Sequence, residues 1–317
     1  MVCDIRYEGP LVFVMGPTGV GKSNFAARLA GFFPLEVINV DSTSVYKDLN
    51  IGSGKPNKKI LAATHHHLLS FCELGDTYSA ARFRADALKS VSEIRTRGKV
   101  PVLVGGTGMY FRMLEKGMAL LPEANTEIRL NLQRLLKKNG VEYLHSILIK
   151  LDPLSADRIN PNDSQRIIRA IEVCRVSDTR MSLLMQSTHE SLSIPPVKFV
   201  LTFRERSAIH EKVSLRFHSM LEQGLINEVS QLRRTYHMFR NYQALNSVGY
   251  KQVGEFLDNE ITYKQMIEKA IIATRQLAKR QLTWLNREDR SIWYEWSEPD
   301  KNVESVLECL TKRGVVG

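Results

Sequence analysis

Residues 11–31, LVFVMGPTGVGKSNFAARLAG, read as a buried strand that runs into a glycine-rich turn and then into an amphipathic helix. Gly16, Gly21, Lys22 and Ser23 fill every fixed position of the G-x-x-x-x-G-K-[ST] pattern, with Pro17, Thr18, Gly19 and Val20 completing the loop between them. Such a loop lets consecutive backbone N–H groups turn inward on an anion while the following helix presents its positive end. Lys22 can reach terminal phosphate oxygens, and the Ser23 hydroxyl suits a magnesium ion. This stretch specifies a site for a diphosphate or triphosphate.

The strand, turn, helix order then recurs. LEVINV at residues 35–40 is a short β-branched run ending in Asp41-Ser42, as a strand delivering side chains to the carboxyl edge of a parallel sheet would. There Asp41 can hold a metal through water or accept a proton, or it can cap the next turn. SVYKDLNIGSGKPNKK, rich in Gly, Asn and Lys, reads as a loop over the site. His65, His66 and His67 are adjacent, and neighbours along a helix do not share a face, so packed or solvated histidines are expected rather than a metal cluster. Residues 78–97 carry Ala81, Leu88, Val91 and Ile94 at helical spacing, with Gly98 where the helix stops. VPVLV then forms a strand ending in Gly105-Gly106-Thr107-Gly108, which would set Thr107 near Asp41, either as an orienting group or as a plain turn hydroxyl. This alternation predicts an α/β fold, a P-loop-type parallel sheet flanked by helices.

Between residues 122 and 196 helical stretches follow one another without strands, so an all-helical subdomain is expected there, inserted into a core made of residues 1–121 and 197–317 with a helical C-terminal region. In SQRIIRAIEVCRVS, Gln165, Arg166 and Arg169 cluster on neighbouring turns while Ile168 and Ile171 can face a core. Their planar forks suit phosphates and base edges, or form a solvated charged face. VKFVLTF at residues 197–203 reads as a return strand and SIWYEW as an edge strand. On the last long helix, Ile267, Ile271, Ala278, Leu282 and Leu285 make the apolar stripe, Arg275 and Lys279 its border, and Gln276, Arg280 and Arg287 the far side.

Lys and Arg outnumber Asp and Glu by 44 to 34, a formal charge of +10 that favours a polyanionic partner, with nucleic acid first among candidates. Cys3, Cys72, Cys174 and Cys309 are scattered singly, which suits a reducing cytosol and suggests neither disulfides nor zinc. With no apolar run of membrane-spanning length, a cytoplasmic protein with no membrane partner is expected. The D-x-x-G and N-K-x-D signals of a translation-type GTPase do not occur. A small-molecule or nucleotide kinase would use the phosphate loop and Asp41 but leave the basic helices idle, whereas a transferase acting on nucleic acid uses both.

Taken in order, GPTGVGKS, DSTSVYKDLNIGSGKP, YSAARFRADA, VPVLVGGTGMYF, DPLSADRINPNDSQRIIRAIEV, NSVGYKQV and ATRQLAKRQLTWL resemble the bacterial tRNA dimethylallyltransferases, also called tRNA isopentenyltransferases. The resemblance runs over nearly the whole chain. THHHLLS departs from it, lacking the Pro and Asp that the family usually has around its His. The resemblance implies transfer of a dimethylallyl group from its diphosphate to N6 of the adenosine 3′ of the anticodon, with Mg²⁺ helping; separately, a monomer is expected. It implies that Gly16, Pro17, Thr18, Gly19, Val20, Gly21, Lys22 and Ser23 hold the diphosphate, that Asp41 takes the proton with Thr107 orienting the amine, and that Arg216 adds a cationic contact. It further implies tRNA contacts at Asp41, Ser42, Thr43, Ser44, Thr107, Arg129, Gln165, Arg166, Ile167, Ile168, Arg169, Gly249, Tyr250, Lys251, Arg275, Lys279 and Arg280.

Overall fold

A computed structural model describes residues 9–186, 191–236, 242–296 and 299–315; Cys3 and Glu298 lie outside them. They form two compact units, one of residues 1–115 with 192–317 and one of residues 116–191, against the expected insert at 122–196.

The larger unit is built on β1 (Val12–Met15), α1 (Lys22–Leu29), β2 (Leu35–Val40), α2 (Lys58–Ala63), β3 (His66–His67), α3 (Ala80–Thr96), β4 (Val100–Gly105) and α4 (Gly108–Lys116). In the helical unit follow α5 (Thr126–Leu151), α6 (Pro153–Arg158), α7 (Ser164–Ser177) and α8 (Met181–Leu184). The chain then returns through β5 (Val197–Thr202), α9 (Arg206–Glu222), α10 (Leu225–Thr235), α11 (Tyr250–Leu257), α12 (Tyr263–Leu285), β6 (Ser291–Glu295) and α13 (Pro299–Lys312). Six parallel strands lie in the order β3-β2-β4-β1-β5-β6.

A parallel sheet covered on both faces needs strands that are apolar throughout, and β1 and β2 are buried along their whole length. Strand pleating sorts their side chains into two cores. Phe13, Met15, Ile38 and Val40 pack on one face with α3, α4, α11 and α12. Val12, Val14, Val37 and Phe199 pack on the other with α1 and α13. Lys198 interrupts the apolar run of β5 and remains buried because Glu115 and Glu288 both pair with it, at 2.7 and 2.9 Å. On α3, Ser79 caps the N-terminus and the buried face is Phe83, Ala87, Val91 and Ile94. Ala81, expected on that face, is exposed: the stripe begins at Phe83.

In the helical unit, α5 breaks at Gly140, where φ is 81°. Leu132, Leu144, Leu148, Ile167, Ala170 and Ile171 form its core. Asp152 is fully buried yet satisfied, accepting from the N–H and hydroxyl of both Ser155 and Ser182.

Cys72 and Cys174 are buried and Cys309 half-buried, all as free thiols. Among the described residues no helix is long and apolar enough to cross a membrane.

Candidate active site

Adjacent strands β2, β4 and β1 release three loops at one edge of the sheet, the arrangement in which parallel sheets collect ligands. The phosphate loop follows β1, Asp41 follows β2, and Gly105-Gly106-Thr107 follow β4. Thr107 N donates to Val40 O, one residue before Asp41, so the second and third loops are stitched together. They border a cleft of about 370 Å³ that is lined by Thr18, Gly19, Gly21, Lys22, Ser23, Asp41, Ser44 and Gly106. Residues 53–57 and Arg216 of α9 close it, and Gln281 reaches it from α12.

Gly21 begins α1 at φ 96°, a left-handed conformation that a side chain resists, so the helix starts with its free N–H groups at the cleft. Lys22 Nζ donates to Gly16 O and Pro17 O at 3.0 and 2.9 Å, leaving one of its three protons for an anion. Gly16 and Pro17 thus serve through their carbonyls, and Val20 is a core residue. Burial lowers the Lys22 pKa to about 8, with Arg216 pushing the same way and Asp41 opposing. Arg216 is likewise pushed below its ordinary range by burial, against the pull of Asp41.

Asp41 Oδ1 accepts from Thr43 N, Thr43 Oγ1 and Ser44 N at 2.8, 2.6 and 3.1 Å. The turn-capping role is thus present and leaves room for a chemical one, because these bonds use one oxygen and fix the other. Ser44 Oγ is buried beside the cleft with no hydrogen-bond partner among the described residues. The expected loop over the site has its own organiser in Lys55, which lines the cleft and donates to Tyr46 O, Lys47 O and Asn50 Oδ1. Its pKa falls to about 8, chiefly through burial. Lys22, Lys55 and Arg216 face the cleft against a single carboxylate, Asp41. Three basic side chains partly withdrawn from water on that wall, against one carboxylate, favour an anion of more than one charge. A neighbouring cleft of about 440 Å³ carries Asp48 and Glu228 and, among the described residues, no Lys or Arg, so those residues do not suit one.

The other expected contact residues divide by burial. Tyr250 is fully buried, its hydroxyl donating to Glu228 and accepting from Ser53 N, and Ile167 is fully buried in the helical core. Neither side chain is exposed here, so any contact of these two positions with a partner would run through their backbone. Gly249 is also buried, and Ile168 is nearly so. Arg129 and Arg169 turn inward to the fully buried Glu172, at 2.8 and 2.7 Å, and Arg169 also donates to Pro122 O. Gln165 and Arg166 remain exposed, so the expected polar trio is divided. Ser42, Lys251, Lys279 and Arg280 are exposed, and Arg275 is half-buried.

The histidine run is extended and not helical, with β3 beginning at His66, so His65 and His67 come to the same side with rings 4.5 Å apart. Glu36, His65 and His67 could hold a metal by proximity. The Glu36 carboxylate is already shared by Arg97, His67 and Lys99; burial would raise its pKa, but hydrogen bonds from these three hold it at about 2. The packed reading of the histidines fits that ion-pair cluster.

Gln281, on the ATRQLAKRQLTWL segment, also reaches this edge, and no local sequence pattern marks it because its partners Thr18 and Gly106 are distant in sequence.

The sequence model of the IPP transferase family matches residues 44–288. The tRNA dimethylallyltransferases of Nitrosomonas europaea and Nitrosomonas eutropha are 47% and 44% identical to this chain over 277 and 275 residues, each match covering 86–87% of both chains. A crystal structure of the full-length tRNA isopentenylpyrophosphate transferase from Bacillus halodurans aligns with TM-score 0.71 and 31% identity, over 96% of this chain and 97% of that one. A eukaryotic dimethylallyltransferase structure shares the fold, with TM-score 0.78 at 23% identity over 96% of this chain and 78% of that one. The family model and these relatives place the chain in the IPP transferase family.

Proposed function

We propose that the chain transfers a dimethylallyl group from dimethylallyl diphosphate to N6 of the adenosine 3′ of the anticodon in tRNA, releasing diphosphate. The carrying observation is the cleft wall of Lys22, Lys55 and Arg216 opposite the lone carboxylate Asp41, at the mouth of a phosphate loop. The names of the close relatives support the same reading, and none of them favours a kinase.

In the reaction the N6 lone pair attacks C1 of the allylic group, the C1–O bond breaks, and the electron pair leaves with the diphosphate. Loop N–H groups, Lys22 and Arg216 would stabilise the charge growing on the departing oxygen. Asp41, held by Thr43 and Ser44, would take the N6 proton. The exocyclic amine is scarcely basic, so its position relative to C1 matters more than early deprotonation. Thr107 is not part of the cleft wall; it would orient the amine from the adjoining turn. The adenine would leave its stack to reach the cleft.

Ser23 places a hydroxyl on the same cleft, a hard oxygen donor that suits Mg²⁺, and it would hold the ion together with oxygens of the diphosphate. Bound there, the ion would neutralise diphosphate charge. The exposed Arg166, Lys251, Lys279 and Arg280, within a chain of charge +10, would meet the tRNA backbone. We place the protein in the cytoplasm, as a monomer.

The test is incubation with dimethylallyl diphosphate, Mg²⁺ and bulk tRNA, followed by nucleoside mass spectrometry. Isopentenyl-adenosine is the expected product. ATP consumption without it would restore the kinase.

A further inference from the structure

Gln281 uses both ends of one planar carboxamide to join two loops that the sequence keeps far apart. Its Oε1 accepts from Thr18 N of the phosphate loop at 2.8 Å, and its Nε2 donates to Gly106 O of the β4–α4 turn at 3.0 Å. The fold makes room for it: a Cβ on Gly106 would lie 2.4 Å from Gln281 Nε2. Further along α12, Trp284 fills the space over Gly108, where a Cβ would lie 2.3 Å from the indole, and it stacks on Phe111. Thus α12 seats two side chains on the two glycines that flank Thr107.

We propose that Gln281 is a positioning residue that sets the spacing between the phosphate loop and the Gly106-Thr107 turn. An amide is suited to this. It accepts from one backbone group and donates to another, and it adds no charge to a cleft whose balance of Lys22, Arg216 and Asp41 is tuned for an anion. Naming the two loops as donor side and acceptor side rests on the dimethylallyl-transfer reading; the bridge itself does not. If the loops carry the leaving group and the amine-orienting Thr107, the bridge fixes the approach of the two reactants, where a displacement of about 1 Å costs on the order of 10²-fold in rate.

The test uses the full chain and two variants. Gln281→Met keeps the length and loses both bonds; Gln281→Glu can still accept from Thr18 N but cannot donate to Gly106 O. Measured are single-turnover transfer, affinities for dimethylallyl diphosphate and tRNA, thermal midpoint, and amide exchange over residues 16–22 and 105–108 with and without inorganic pyrophosphate. In the unaltered protein pyrophosphate should slow exchange in both segments, although only the first would bind it. In Gln281→Met only the first should respond, and the transfer rate constant should fall about 10- to 100-fold while both affinities stay within about threefold and the midpoint holds. In Gln281→Glu the turn should again be uncoupled. A turn that ignores pyrophosphate in the unaltered protein would overturn the proposal. So would a rate loss matched in full by lost diphosphate affinity, or one that tracks a fall in thermal midpoint. Should the unaltered protein transfer no prenyl group yet show coupled exchange, the bridge stands and the functional reading fails.

Discussion

Arg216 lays its guanidinium against Gly54 so closely that a Cβ at residue 54 would lie 1.7 Å from Nη2. Gly54 also sits at φ +65°. A side chain there must both accept a left-handed backbone and displace the cation from the cleft wall. Gly54→Ala should therefore mimic loss of Arg216: dimethylallyl diphosphate affinity should fall about 10- to 100-fold, the worth of hydrogen bonds to a charged group. Strain at the backbone should cost about 1 kcal/mol of stability. Calorimetry on Gly54→Ala and Arg216→Ala side by side checks this; normal affinity in the first with loss in the second would show that the glycine serves only its turn.

Asp41→Asn keeps an Oδ1 that can accept from Thr43 and Ser44, so the turn should survive. What it removes is the proton acceptor. Turnover should drop by ~10² or more, the usual contribution of a positioned base, with tRNA affinity held within a few-fold. Steady-state assays with a filter-binding control are sufficient, and near-normal turnover would exclude Asp41 as the base.

Lys22 links the cleft to pH. Its pKa is lowered from 10.5 to about 8, so between those values the unfolded chain binds the proton that the folded, ligand-free protein has released. Lys22 therefore adds stability as pH rises through that window, and the gain is lost as pH falls back through about 8. Binding of an anion has the opposite preference, because it favours the ammonium. Above pH 8 dimethylallyl diphosphate should bind with proton uptake, and affinity should weaken by about tenfold per pH unit. Titration calorimetry in two buffers of different ionisation enthalpy reads the proton directly. Lys22→Met should bind weakly and show a shallower slope, the part that Lys55 contributes, since its pKa is also lowered to about 8 on the same cleft.

The structure gives Tyr250 to the core rather than to a partner. Its hydroxyl and Glu228 together hold the loop at Ile51, Gly52 and Ser53, whose N–H groups they accept. That loop leads into Gly54. Tyr250→Phe keeps the ring and loses the hydroxyl, and it should cost about 1–2 kcal/mol in urea unfolding while tRNA affinity changes less than about twofold. The reverse pattern, a large loss of affinity at unchanged stability, would return Tyr250 to the RNA surface.

How far the sequence can be read depends on how local each signal is. The strand, loop and helix around Lys22 lie within one short stretch, and apolar β-branched runs mark β2, β4 and β5, so the carboxyl-edge site with Asp41 follows from pattern alone. β3 has only two residues and exists because it pairs with β2, which leaves no periodicity to find. Gln281 is invisible for a related reason: its partners are Thr18 and Gly106, and only the folded sheet brings them to α12. Glu172, by contrast, carries a local signal. It interrupts an otherwise apolar run in α7, and a buried acid there requires cations, which Arg129 and Arg169 supply.

That pairing decides what the basic residues of α7 do. Arg166 has 76% of its side chain exposed and only a 3.3 Å contact with Asp163, whereas Arg169 is 32% exposed and anchored by Glu172 and Pro122 O. Removing Arg169 would leave Glu172 buried with one guanidinium fewer and Pro122 O without its donor. Breaking a buried pair costs about 3–5 kcal/mol, and because Arg129 remains, a loss of about 2–3 kcal/mol is expected for Arg169→Ala. Arg166→Ala should stay within about 0.5 kcal/mol of the unaltered protein. Its effect should appear instead in tRNA binding, as a salt slope reduced by about one phosphate contact and felt alike by all tRNAs. Urea unfolding and a salt series of tRNA affinities on the two single variants separate these roles. A stable Arg169→Ala that discriminates poorly among anticodon loops would mean that its guanidinium leaves Glu172 to read RNA, and an Arg166→Ala variant with an unchanged salt slope would mark that exposed face as merely solvated.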